Sequence, residues 1–190
     1  MNWDLPYQVN IDGYIYPIRN KCDYRVVLDV QTALKDERMP KGEKLYCALH
    51  IFYGEDWKKI KDLQKATDEM IKILNYGQTP KSSSMSSNQP IMDWEFDFNK
   101  IAPAISRVLG YDVRTPDKFT HWYTFLGAYM EIGQDSTFSY FIHLRKQKQK
   151  GKLTKEEREF WSEHKEELEI PMILTEEEKE FLNSEWNERR

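Results

Sequence analysis

The chain has 190 residues, 39% of them hydrophobic and 32% charged, with 8 Gly, 8 Pro and a mean hydropathy of -0.79. That composition excludes a collagen, a membrane channel and a chain disordered throughout. Lys plus Arg number 28 against 32 Asp plus Glu, a net of -4, so no global field draws the protein toward nucleic acid or an anionic membrane.

The elements come in order from the N-terminus. VNIDGYIYPI holds two short β-rich pieces around Asp12-Gly13, a pair that suits a tight hairpin because its backbone must take positive φ. Pro17 has no N–H to give a ladder, so this strand lies on an edge or ends there. Beyond Cys22 the apolar period becomes helical. Val26, Val27, Val30, Ala33 and Leu34 share one face up to a stop at Met39-Pro40, and Leu45, Ala48, Leu49 and Phe52 repeat until Gly54. A third stripe of Trp57, Ile60, Leu63, Thr67, Met70 and Leu74 predicts a helix ending at Gly77.

Residues 78–92 hold five serines and two prolines and little to bury, the composition of a flexible linker. DWEFDF follows and reads as an aromatic strand or lead-in with Asp97 as a cap, and the next helix is expected to start close to Pro103 or to bend there. Thr115-Pro116-Asp117 carries the chemistry of a helix start, with Phe119, Trp122, Tyr123, Leu126 and Met130 along one side until Gly133. Asp135 can cap a further helix that turns Phe138, Phe141 and Ile142 inward and ends in cations, which oppose the negative end of the helix dipole. Thr154 with Glu157 and Thr175 with Glu178 have capping-box spacing. Phe160, Trp161 and Leu168 serve the first of these helices, and Phe181, Leu182 and Trp186 the second. The fold class expected is mainly α: bundle-like halves with a small N-terminal β-hairpin. Its parts are residues 1–77 with hairpin and helices, the linker 78–92, and a helical region 93–190.

Catalytic signatures are missing. Four histidines, at 50, 121, 143 and 164, lack HExxH or CxxC partners. DWEFDFN fails as a calcium loop, with Phe98 where the sharp-turn Gly belongs and Ala104 where the bidentate Glu belongs. There is no Walker sequence, GxGxxG or GxSxG, and nothing identifiable orients His50 toward Cys47. No catalytic residue, metal or cofactor is therefore expected, and the protein is read as a non-enzyme. Cys22 and Cys47, far apart in a chain of this size, predict a reduced intracellular setting. The start MNWDLPYQVNIDG reads as no secretory signal, and no apolar run is long enough for a membrane span.

Charge is uneven along the chain. Residues 1–92 hold 13 basic and 12 acidic side chains, whereas from Lys155 onward there are 6 basic and 13 acidic. Just before that acidic tail, Arg145, Lys146, Lys148, Lys150 and Lys152 form a basic run. Arg145, Lys146, Lys148 and Lys150 are candidate phosphate contacts, although the acidic balance and the lack of a recognition motif argue against nucleic acid as the main partner. The aromatic stripe from Phe119 has the period of a packed helix face. Six Trp and seven Met are also the kind of surface that holds an amphipathic helix in a groove.

DWEFDFNKIAPAISRVLGYDV (93–113) and the stretch from Asp117 to Trp161 carry a resemblance. Their sequence of elements is an acidic-aromatic entry, a GYDV turn, a helix bearing His121, Trp122, Tyr123 and Phe125, then a helix through Phe138 and Arg145 ending in lysines. This resembles the bacteriophage family named for gene product fifteen of siphophages infecting Gram-positive hosts, and the likeness covers most of residues 7–170. Family members often have Trp where Tyr123 stands and a basic residue where Thr124 stands. The resemblance implies a tail assembly chaperone of the host cytoplasm that binds the tape measure protein and keeps it soluble while the tail tube polymerises. Self-association and contact with the major tail protein are further expectations. It carries no catalytic residues over. Trp122, Tyr123, Phe125, Phe141 and Trp161 are the candidate partner-binding residues, in a helical core or groove. The alternatives are a structural tail or connector component of the virion and, third, a nucleic-acid-binding phage protein.

Overall fold

Asp12 and Gly13 both take positive φ (53° and 85°), as a two-residue hairpin loop of the I′ family requires. The Asn10 side chain accepts the Gly13 N–H at 2.9 Å across that loop. Strands β1 (Gln8–Ile11) and β2 (Tyr14–Pro17) pair antiparallel, with Gln8 opposite Pro17 and Ile11 opposite Tyr14. The computed structural model describes residues 4–78 and 90–171. The alternating pattern sends Val9 and Ile11 into the core, while Tyr14 and Ile15 stay exposed, and the second strand ends at Pro17 as its missing N–H predicts.

The remaining elements are helical, so the chain is mainly α with a small hairpin. They are α1 (Tyr24–Lys35), α2 (Lys41–Tyr53), α3 (Leu63–Leu74), α4 (Trp94–Leu109), α5 (Trp122–Met130), α6 (Thr137–Gln149), α7 (Lys155–Glu163) and α8 (Lys165–Leu168). Five local expectations are corrected. The helix expected from Trp57 begins at Leu63, because Gly54–Lys59 is a 3-10 segment and the Asp62 carboxylate accepts the Lys65 N–H as the true N-cap. DWEFDF is not a strand or lead-in: it forms the opening turns of α4, capped by Asp93, which accepts the N–H groups of Glu95 and Phe96. Pro103 is inside that helix. Pro103 and Asn99 both lie on the exposed side, so the carbonyl that proline leaves without a donor is open to water. Thr115-Pro116-Asp117 is a turn, and α5 starts at Trp122 behind His121. Asp135 yields its cap to Ser136, which accepts the Ser139 N–H. The Thr154 box forms with both of its bonds. The box expected at Thr175, the helix of Phe181, Leu182 and Trp186, and most of the linker lie outside the described residues.

The division expected at 78–92 is a division of the sequence, not of the core. Val9 and Ile11 of the hairpin, Val27 and Val30 of α1, Phe52 of α2, Met70 of α3, Ile101 and Ile105 of α4, Trp122 and Phe125 of α5 and Phe138 of α6 form one buried cluster. Apolar faces from both sides of the linker cover each other because neither is enclosed by its own neighbours. A second, smaller cluster unites Phe141, Leu144, Trp161 and Leu168, flanked by Leu153 and Phe160.

Candidate interaction surface

Trp122 sits in the shared core, 1% exposed, its indole N–H donating to the Leu74 carbonyl at 3.2 Å. Phe125 stacks on Tyr24 with ring centroids 4.3 Å apart and planes 2° from parallel. Phe141 and Trp161 are buried in the second cluster. Four of the five rings singled out as partner contacts are thus packed in the chain's own interior, because the core draws on both sides of the linker. Of the core or groove expected for them, these four are in the core. Tyr123 alone stays half-buried, and the five rings are not brought together on one face.

Arg145 is likewise corrected as a phosphate contact. It is 4% exposed, and its guanidinium grips the fully buried Asp97 carboxylate bidentately at 2.7 and 2.9 Å. Its other N–H groups donate to the carbonyls of Leu168 (2.6 Å), Ile91 (3.2 Å) and Glu167 (3.4 Å). Buried charge is tolerated when its donors are used up in this way, and Asp97 adds this role to the capping role expected of it, since its carboxylate also accepts the Asp93 N–H at 3.0 Å. Lys146 and Lys150 are exposed near the end of α6. Lys148 pairs with Glu169 at 2.7 Å and lies over the Trp161 ring at 4.1 Å.

Sequence reasoning missed a row of rings that reaches the surface at both ends and is buried at His121. Tyr7 meets the His121 imidazole edge-on at 5.4 Å, His121 meets Tyr123 edge-on at 5.4 Å, and Tyr123 meets Tyr76 at 4.6 Å. Tyr7 and Tyr76 are each 43% exposed. The row joins the N-terminal segment, the turn after α3 and the start of α5, positions too far apart in sequence for any periodicity to link. Its middle is held tightly. His121 Nδ1 accepts the Tyr123 N–H at 3.0 Å, so Nε2 carries the proton and donates to the Pro6 carbonyl at 3.1 Å. Burial holds the imidazole below its ordinary range and pushes the Tyr123 phenol up to about 12. A Cβ on Gly77, whose φ is +78°, would come within 3.2 Å of the Tyr123 hydroxyl. Glycine there frees both the backbone and the ring's position.

Behind the row, Asp23 fastens α1 to the segment before α5. Its carboxylate accepts the N–H groups of Arg25 and Thr120, and Arg25 crosses to the carbonyls of Val113, Thr115 and Lys118. These bonds hold residues 113–120 open where local chemistry predicts a helix start. Burial pushes the Cys22 thiol up to about 12, which keeps it protonated and unreactive. His50 faces Glu55 at 3.1 Å. Among the described residues no cluster of His, Cys, Asp and Glu could hold a metal ion, and no helix is long and apolar enough to cross a membrane.

This arrangement presents the Tyr7 and Tyr76 rings at the surface with their neighbours His121 and Tyr123 already fixed in place. Comparison with known proteins finds no match among curated proteins and none among solved structures. A family model described as Bacteriophage Gp15 protein matches residues 1–170, all but the last stretch of the chain, and the protein belongs to that bacteriophage family.

Proposed function

We propose that the protein is a tail assembly chaperone, a non-enzymatic phage protein that binds the tape measure protein in the host cytoplasm and keeps it soluble until the tail tube encloses it. The observation that carries this reading is the row of Tyr7, His121, Tyr123 and Tyr76, exposed at its Tyr7 and Tyr76 ends and fixed from beneath by the buried His121, which offers the two tyrosine rings prearranged to an apolar helix stripe at little entropic loss. Long helices with uncovered apolar stripes aggregate, and many copies of a small binder with modest affinity would shield such a rod and still be displaced by growing tube. Co-expression with the cognate tape measure protein tests this. The native chain should raise the soluble fraction and copurify, and Tyr7→Ala with Tyr76→Ala should cut copurification at least tenfold without changing the circular dichroism. An unaltered soluble fraction would refute the reading.

A second reading, a structural tail or connector component, is favoured by the sealing of Trp122, Phe125, Phe141 and Trp161 in the interior, which suits a part that stays in the particle. Mass spectrometry of purified virions separates the two, since a chaperone should be scarce there. Nucleic-acid binding ranks below both, because Arg145 is committed to Asp97.

A further inference from the structure

The second cluster is closed on one side by residues 154–171, which hold α7, α8 and the Ile170-Pro171 stretch beyond them. The described chain enters this stretch through Gly151, which takes φ +66°, and Leu153. Its fit is imperfect. A cavity of about 210 Å³ remains among Pro90, Lys148, Trp161, Leu168 and Ile170, and the buried Trp161 indole N–H has no acceptor among the described residues, whereas the Trp122 N–H has one. Besides the packing of Trp161 and Leu168, polar contacts fasten the stretch: Arg145 on the Leu168 and Glu167 carbonyls, Lys148 on Glu169, and His143 facing Glu157 at 3.1 Å. Charges are complementary across the contact. Residues 154–171 contain seven acidic and three basic side chains, and they lie on a face whose available cations are Lys100 and Lys148, the latter paired with Glu169, while Arg145 is neutralised by Asp97. Lys100 stands over the rings of Phe96 and Phe141 at 5.4 and 5.2 Å.

We propose that residues 154–171 are a self-blocking strap, hinged at Gly151, that opens as a unit, and that the cationic aromatic face beneath it takes an acidic amphipathic helix of a partner protein. The proposal rests on the protein-binding reading above and deepens it. The strap is itself the template for such a partner: an acidic helical stretch, α7 followed by α8, that places Trp161 and Leu168 in one cluster with Phe141 and Leu144, with Glu169 reaching Lys148. A local opening of this kind breaks few apolar contacts and leaves the shared core intact, as sub-global openings do.

The test uses the full chain and needs no tape measure protein, so it fails or succeeds separately from the chaperone reading. Hydrogen exchange followed by mass spectrometry should show amides of residues 155–168 exchanging together, at least tenfold faster than those of α4 and α5. Glu169→Lys places a cation against Lys148 and leaves the underlying face unaltered. It should speed exchange in 155–168 by a further factor of about ten with α4 and α5 unchanged. A fluorescently labelled peptide of residues 154–171 should bind the Glu169→Lys chain at least tenfold more tightly than the native chain, and the same peptide carrying Trp161→Ala should lose that binding. Exchange of 155–168 in step with α4 and α5, or peptide affinity unaffected by Glu169→Lys, would overturn the proposal.

Discussion

The two buried clusters differ in how they are closed. The larger one is sealed by ring stacking and by bonds that span the chain: Tyr24 stacks on Phe125, its hydroxyl donates to the Val113 carbonyl at 3.0 Å, and Asp23 accepts the Thr120 N–H. The smaller one holds four buried side chains and relies on a buried Arg145–Asp97 pair to fix it to α4. Apolar packing is nondirectional and strengthens with each added contact, whereas an ion pair in the interior holds only while its geometry is complete. The same chain therefore contains a region closed by many apolar contacts and a smaller one that leans on a few polar contacts, the Arg145–Asp97 pair foremost.

That contrast can be broken experimentally. The largest effect should come from Asp97→Ala, which leaves the Arg145 guanidinium buried and uncompensated and should lower unfolding free energy by about 3–5 kcal/mol in urea titration. Replacing both partners, Arg145→Met with Asp97→Leu, should restore most of the loss, since no charge then remains inside. Phe125→Ala removes the ring stacked on Tyr24 and should cost about 3–4 kcal/mol of global stability. Leu168→Ala, at about 2–3 kcal/mol, sharpens the comparison: its effect should appear in the exchange of residues 155–168 and leave the amides of α5 unchanged. Equal effects of Phe125→Ala and Leu168→Ala on all amides would mean one cooperative unit.

Smaller effects follow at the caps. Thr154→Ala removes one side of the box that starts α7 and should cost about 1 kcal/mol, read by the same local exchange. His121 gives a pH dependence. Its folded pKa lies below the ordinary imidazole value because the ring is buried, so the unfolded chain binds the proton more readily. Stability is full above about pH 6.5, the ordinary histidine value, and falls as pH drops below it. His121→Asn keeps a side-chain acceptor for the Tyr123 N–H and should flatten this part of the pH profile in thermal melts.

Local chemistry was legible where it had no distant competitor. The Asp12-Gly13 hairpin, the Thr154 box and the faces of α1 and α2 follow from residues within a few positions of one another. The failures share a cause. Thr115-Pro116-Asp117 has the residues of a helix start, yet Arg25, some ninety positions earlier, holds the carbonyls around it, and the cap passes to His121, a residue seldom used there. Asp97 reads only as a cap in DWEFDF until Arg145 is placed beside it, 48 positions away. The candidate surface was hidden for the same reason: Tyr123 could be picked from its helix, but Tyr7 and Tyr76 reach it only through the fold. The buried rings were legible as core, since a stripe at helical spacing ordinarily packs inward.

The bond from His121 to the Pro6 carbonyl spans 115 positions, and this has a consequence for biosynthesis. At ribosomal rates of about 5–20 residues per second, roughly 6–23 s separate the appearance of those two partners. Through that interval Val27, Leu49 and Phe52 have emerged without the α4 and α5 side chains that finally enclose them, so the nascent first half is the stage at which this protein is itself most exposed to aggregation.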